Sequence, residues 1–207
     1  MQQLNLTTRV GLFLAAGTVF SAATLAQPVA TVSNFVYTGN GCPAGSAKAT
    51  IINGGKTLRV EFQAFKVSMN GTKGTPVAEC EISAFLTPPA KQKLEISPAE
   101  YIGAYSARAQ IALNAGHYWA KKWAGPWAGG TAGTATGAAG VYRFNNPNKT
   151  QYGVCGGKDE LKDDGAKGIK LSIKPGDMVS ADLKVVDYTL NYAPCEGSGG
   201  GGTGTAG

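Results

Sequence analysis

The sequence predicts an all-β protein, an antiparallel β-sandwich stabilised by two disulfides, with a β-barrel-like closure as the alternative. Three observations carry that prediction. Apolar residues recur with a period of two in several segments, and no long segment shows helical periodicity. Glycine is abundant, 30 of 207 residues, and separates the alternating runs. Four cysteines, Cys42, Cys80, Cys155 and Cys195, are spread over the same region.

Residues 1–26 read as a secretory leader rather than as part of the fold. Met1 to Arg9 is polar with one positive charge, Val10 to Phe20 is apolar, and Ser21 to Ala26 is a small-residue stretch. Its apolar core is shorter than the roughly 20 residues needed to span a bilayer, so no transmembrane segment is expected. Cleavage after Ala26 would leave 181 residues, enough for one domain over 27–196 with a core of its own. An exported chain with an even cysteine count implies two disulfides and a secreted or extracytoplasmic address, periplasmic or cell-surface in a bacterium.

The first clear strand alternates Leu58, Val60, Phe62 and Ala64 against Arg59, Glu61 and Gln63. Its register then switches to Phe65 and Val67, which predicts a bulge near Ala64. Ile82, Ala84 and Leu86 alternate with Glu81, Ser83 and Phe85. Tyr101, Tyr105, Ala107, Ala109, Ile111 and Leu113 share one parity and read as one long strand. Residues 169–192 read as a hairpin about Pro175-Gly176-Asp177, a strong turn signal. Within it, Val179, Ala181, Leu183 and Val185 hold one parity and Tyr188, Leu190 and Tyr192 the other, so a second bulge is expected near Val185-Val186. The Gly/Ala/Thr-rich stretch from Gly125 to Gly140 reads as a mobile loop, and 197–207 as a disordered Gly-rich tail.

Without the leader the chain has 18 basic and 13 acidic residues, but the excess is dispersed, which argues against a nucleic-acid partner. Weak attraction to anionic glycans or lipid headgroups is the most that this charge implies. The cysteine spacings of 38, 75 and 40 residues contain no C-x-x-C pair, so neither zinc nor thioredoxin-like chemistry is expected. Four cysteines allow three pairings. Placement favours Cys80 with Cys195, at the start of one strand and the end of the last, and Cys42 with Cys155, both in Gly-rich loops.

Catalytic constellations are hard to assemble. The one histidine, His117, has no G-x-S-x-G partner motif, and Glu79, Glu81, Glu95 and Glu100 fall on solvent-face strand positions rather than as a cleft pair. The cluster Asp159 to Gly165 departs from EF-hand spacing, is partly neutralised by Lys158, Lys162 and Lys167, and reads as a solvated loop. No catalytic residue, metal or cofactor is therefore expected. Asn70-Gly71-Thr72 and Asn148-Lys149-Thr150 fit the glycosylation sequon.

The aromatic group is the best candidate for recognition. Tyr118, Trp119, Trp123 and Trp127 lie within ten residues beside Lys121 and Lys122, and they include every tryptophan of the chain. Rings exposed there would stack on sugars or rest at a membrane interface, since each has an apolar body and a polar edge. The expectation is that at least two of the three tryptophan rings are exposed; the competing use of the same rings is to plug one end of the sandwich.

The run Gly41-Cys42-Pro43-Ala44-Gly45-Ser46 resembles the opening of a secreted family known as domain of unknown function 4360 (DUF4360). Phe62 and Phe65, Cys80 with Ile82, Tyr101-Ile102-Gly103, Cys155-Gly156 and the closing Cys195 follow in that family's order, so the resemblance runs from about Val29 to Cys195. Pro88-Pro89-Ala90 departs from the family's Pro-x-Gly, and the Gly-rich tail is extra. The resemblance implies a secreted, disulfide-bonded β-rich domain and brings no activity or functional residues with it. The reading reached is an exported, non-enzymatic protein that binds or associates at the cell surface. The alternatives are a carbohydrate- or wall-binding module using the tryptophan segment, and a secreted enzyme or enzyme inhibitor.

Overall fold

A computed structural model describes residues 28–68, 75–106, 111–115, 118–119, 122–123, 127–128, 139–146, 152–163, 169–173 and 180–196; for residues 97–98, 118, 122–123, 127–128, 146 and 163 it describes the backbone alone. Fourteen strands and one short 3-10 turn, Asn53–Gly55, make up the described elements. In chain order the strands are β1 Thr31–Thr38, β2 Ala47–Ile52, β3 Thr57–Phe62, β4 Lys66–Ser68, β5 Val77–Thr87, β6 Gln92–Ser106 and β7 Ile111–Ala115. They continue as β8 Tyr118–Trp119, β9 Lys122–Trp123, β10 Trp127–Ala128, β11 Gly140–Asn146, β12 Asp159–Asp163, β13 Ile169–Ile173 and β14 Ser180–Pro194.

The strands form two antiparallel sheets. One has the order β11-β6-β14-β3-β2, with β4 also on β14; the other has the order β10-β7-β13-β5-β12-β8-β9, with β1 also on β5. No pairing among the described residues joins the sheets, so the arrangement is the sandwich and not the barrel. Two long strands organise it. In the first sheet β14 carries β6 on one edge and the β3–β4 row on the other. In the second, β5 pairs with β1 along residues 81–87, with β12 along 82–86 and with β13 along 77–80.

The eight strands of the second sheet reduce to five rows. β12 and β13 follow one another along β5, β8 and β7 follow along that row, and β9 and β10 along the next. The parity of burial explains the order of the core. Leu58, Val60, Ile82, Leu86, Leu171 and Leu183 are fully or almost fully buried, while Arg59, Glu61, Ser83 and Lys170 on the intervening positions are not. Both expected bulges are present. The chain breaks step between β3 and β4 at residues 63–65, where Phe62 and Phe65 both turn inward with ring centroids 5.2 Å apart. In β14 the register shifts between Leu183 and Val185, and buried parity passes from Leu183 to Val186.

Three expectations of connectivity are corrected. Residues 101–113 are two strands in two sheets: β6 lies in the first, β7 in the second. Residues 169–192 are no hairpin, because β13 pairs with β5 and β7 whereas β14 pairs with β3, β4 and β6. An arch between facing sheets and a hairpin within one sheet show the same alternation, since both turn a buried face back toward one core. The disulfides join Cys42 to Cys80 and Cys155 to Cys195, with Cα separations of 5.5 and 5.7 Å, in place of the expected crossed pairing. Cys42 reaches Cys80 because the Gly41 N–H donates to the Glu79 carbonyl at 2.8 Å, laying the loop against β5. Cys155 reaches Cys195 because the Gly156 N–H bonds the Gln92 carbonyl and the Cys195 N–H bonds that of Lys91, placing both beside the start of β6.

The leader 1–26, the tail 197–207, both sequons, His117, Lys121 and the Pro175-Gly176-Asp177 turn lie outside the described residues. So does most of the stretch read as a mobile loop, although Trp127 and Ala128 form β10 and Gly140 opens β11. The acidic cluster read as a solvated loop begins as strand β12, with Asp159 buried and accepting the Val154 N–H at 2.7 Å.

Candidate functional site

Trp119 is a core residue. Its side chain is fully buried, and its indole N–H donates to the Leu94 carbonyl at 3.0 Å, tying β8 of one sheet to β6 of the other. This removes Trp119 from the exposed set that the sequence suggested. The remaining members are separated by register. Lys122 stands opposite Trp119, Trp123 opposite Tyr118, and Trp127 opposite the buried Ala115. Directly opposed residues of an antiparallel pair share a face, so the segment is divided between faces rather than gathered on one edge. The side chains of Tyr118, Lys122, Trp123 and Trp127 lie outside the described residues, as does all of Lys121.

The register also brings two of those aromatic positions to a feature that the sequence did not reveal. Val36 of β1 pairs with Ser83 of β5, Ser83 with Lys162 of β12, Lys162 with Tyr118 of β8, and Tyr118 with Trp123 of β9. This row crosses five strands, about 19 Å at the usual spacing of about 4.8 Å per strand. It runs along the outer face, since the flanking Ile82, Ala84 and Leu161 are buried. At its β1 end lies an open groove of about 230 Å³, lined by Val36, Tyr37, Thr38, Glu81, Ile82, Ser83 and Lys162.

The groove exists because of a local irregularity. Asn34 takes a positive φ of 50°, and the β1–β5 register shifts between Ser33 and Val36. The slip turns Val36 outward, leaving it 60% exposed, while Phe35 and Tyr37 pack against the core. Edge strands often carry such bulges, which end pairing and re-aim a side chain. Beside the groove, Glu160 accepts the Ser83 hydroxyl at 2.8 Å, and the Lys158 ammonium sits 4.4 Å from the centre of the Phe85 ring. The arrangement offers apolar surface flanked by hydroxyl, carboxylate and ammonium groups. It can bind; among the described residues, no group of three or more His, Cys, Asp or Glu side chains is gathered to hold a metal.

The outer face of the other sheet is closed by its own ion pairs. Arg59 donates from Nε and Nη2 to both Asp187 carboxylate oxygens at 2.8 and 2.7 Å, a bond that raises the guanidinium pKa, and Arg143 bonds Glu100 at 2.8 Å. Tyr142 is buried beneath that face and donates its hydroxyl to the Asp182 carbonyl at 2.7 Å. Burial and the neighbouring Asp182 charge push its pKa far above the ordinary tyrosine value.

Two facing antiparallel sheets with two disulfides define the class: a disulfide-bonded β-sandwich. Within it, the family model described as "Domain of unknown function (DUF4360)" matches residues 29–161, and the chain belongs to that family. No curated protein matches the chain. The residues that carried the family resemblance do structural work. Gly41 packs so closely on the Phe65 ring that a Cβ would overlap it, Cys42 is cross-linked, and Gly45 takes a φ of +82° in a turn closed by the Ser46 N–H on the Pro43 carbonyl. The signature thus serves turns, cross-links and the core, and it meets the groove only at Ile82. Only the break in parity at Asn34 foreshadows the groove in the sequence.

Proposed function

We propose that this is an exported, non-enzymatic binding protein that engages a component of the cell surface or its surroundings through the outer face of the eight-stranded sheet. The observation that supports it most is the row from Val36 to Trp123, which ends in the open groove. Export is supported by the leader-like residues 1–26, and both disulfides are compatible with an oxidising compartment. No described helix is long and apolar enough to cross a membrane. A non-catalytic role is supported by the single histidine and by acids that are spread along strand faces or already bonded, as Glu160, Glu100 and Glu79 are.

Co-sedimentation of the purified, labelled protein with intact cells of the exporting strain tests this reading. Wild type is expected to pellet with the cells. Val36→Glu, which places a charge at the groove mouth, is expected to stay in solution. Val141→Glu is the matched control, because Val141 is 67% exposed and lies in β11 of the other sheet. Equal loss by both variants, or no pelleting of the wild type, refutes the reading.

A further inference from the structure

The ligand of this face can be narrowed by its charge. The chain as a whole is basic, with 19 Lys and Arg against 13 Asp and Glu. The described residues on the outer face of the eight-stranded sheet do not share that excess. Among them are Glu79, Glu81 and Glu160 against Lys158, Lys162 and Lys170, three acids and three bases. Lys170 bonds Glu79 at 2.9 Å, Glu160 bonds Ser83, and Lys158 lies over Phe85. Glu81 and Lys162 both line the groove. A site for a polyanion would gather the positive charge of a basic protein; the described residues of this face balance acids against bases.

Such a surface suits a ligand that is uncharged, has apolar faces, and carries many hydroxyls able both to donate and to accept hydrogen bonds. The row has a direction as well: it crosses five strands, and an aromatic residue occupies each of its last two positions, Tyr118 and Trp123. Aromatic residues combine an apolar face with a polar edge, as a sugar ring does. We infer that the ligand is a neutral, linear polysaccharide lying across the strands, from the groove at Val36 toward Trp123. This rests on the binding role proposed for the same face and specifies its ligand.

Two polymers with one backbone test the point: hydroxyethyl cellulose, which is neutral, and carboxymethyl cellulose, which carries carboxylates. Affinity electrophoresis and calorimetry with the full exported chain are expected to show binding to the neutral polymer that changes less than about twofold between low and high salt, since no ion pairs are formed. The charged polymer is expected to bind no more tightly. Val36→Glu and Trp123→Ala should each weaken binding about tenfold, the scale of one aromatic or apolar contact, and Val141→Glu should leave it unchanged. Thermal melts of each variant separate lost binding from lost folding.

Tighter binding to carboxymethyl cellulose that is lost in high salt would overturn the neutral-ligand inference while leaving the face as the binding surface. Binding to neither polymer, with Val36-dependent pelleting on cells retained, would likewise overturn the inference and leave the binding role standing. Polysaccharide binding that is insensitive to Val36→Glu and abolished by Val141→Glu would overturn both.

Discussion

Replacing Trp119 by alanine asks whether this ring recognises a ligand or holds the two sheets together. Its side chain is fully buried, and a buried aromatic of this kind hides about 150–250 Å². At about 25 cal/mol per Å² the removal costs about 4–6 kcal/mol of transfer energy, part of which the alanine methyl and local collapse restore. Measured aromatic truncations of about 3–5 kcal/mol are the better guide. The lost hydrogen bond adds little. The Leu94 carbonyl that accepts the indole N–H also accepts the Gly153 N–H at 2.8 Å, so truncation leaves no orphaned acceptor. Trp119→Phe keeps most of the apolar burial and loses the N–H, so about 1–2 kcal/mol is expected. Urea denaturation followed by fluorescence and far-UV circular dichroism measures both, with an unchanged m-value as the sign that the comparison is sound. At temperatures where both proteins are folded, cell binding of Trp119→Phe should equal that of the wild type. A loss below about 1 kcal/mol for Trp119→Ala would refute the placement of this ring in the core.

Three further outcomes are expected. Gly103 lies in β6 where a Cβ would run into the Asp182 carbonyl oxygen and the Tyr142 ring, so Gly103→Ala should cost at least about 2 kcal/mol in the same denaturation assay. Tyr142 has a raised pKa in the folded state, caused first by burial and then by the Asp182 charge, so the unfolded chain releases this proton at lower pH than the native one. Its contribution is therefore complete below the ordinary tyrosine value of 10.0 and is lost as pH rises above it; melting temperature should fall above that pH and fall less steeply in Tyr142→Phe. Cys42 and Cys80 are buried, whereas Cys155 is exposed and Cys195 half-buried. Graded reduction followed by alkylation and peptide mapping should thus label Cys155 and Cys195 first, and loss of that bridge should cost about 2–4 kcal/mol.

Local sequence carried the strand content and much of the strand interiors. Leu58-Val60-Phe62 and Ile82-Ala84-Leu86 are legible because a strand facing one core alternates with a period of two whatever its neighbours are. The two bulges were legible for the same reason: a bulge reverses parity, and the change from Phe62 to Phe65 and from Leu183 to Val186 is written in the residues themselves. The family followed from the order of its glycines and cysteines, most of which serve turns and cross-links.

Partnership was not legible. Alternation tells a strand which face is wet, and says nothing of which strand lies beside it. The arch from β13 to β14 therefore read as a hairpin, and the break from β6 to β7 as one strand. The disulfide pairing failed similarly, because the loop around Cys42 docks on β5 through a backbone hydrogen bond to Glu79 that has no signature in side-chain pattern. Trp119 and Trp123 are both tryptophans in a short polar-flanked stretch, yet the first stands opposite Leu161 in the core and the second opposite Tyr118 on the neighbouring register position. The row from Val36 to Trp123 draws on five segments that are distant in the chain, and only inter-strand hydrogen bonding aligns them. The all-β class, the alternating faces, the bulges and the family are written in local residue pattern. Pairing, cross-links and the candidate site arise only in the folded chain, because they depend on non-local hydrogen bonds between backbones that are chemically alike.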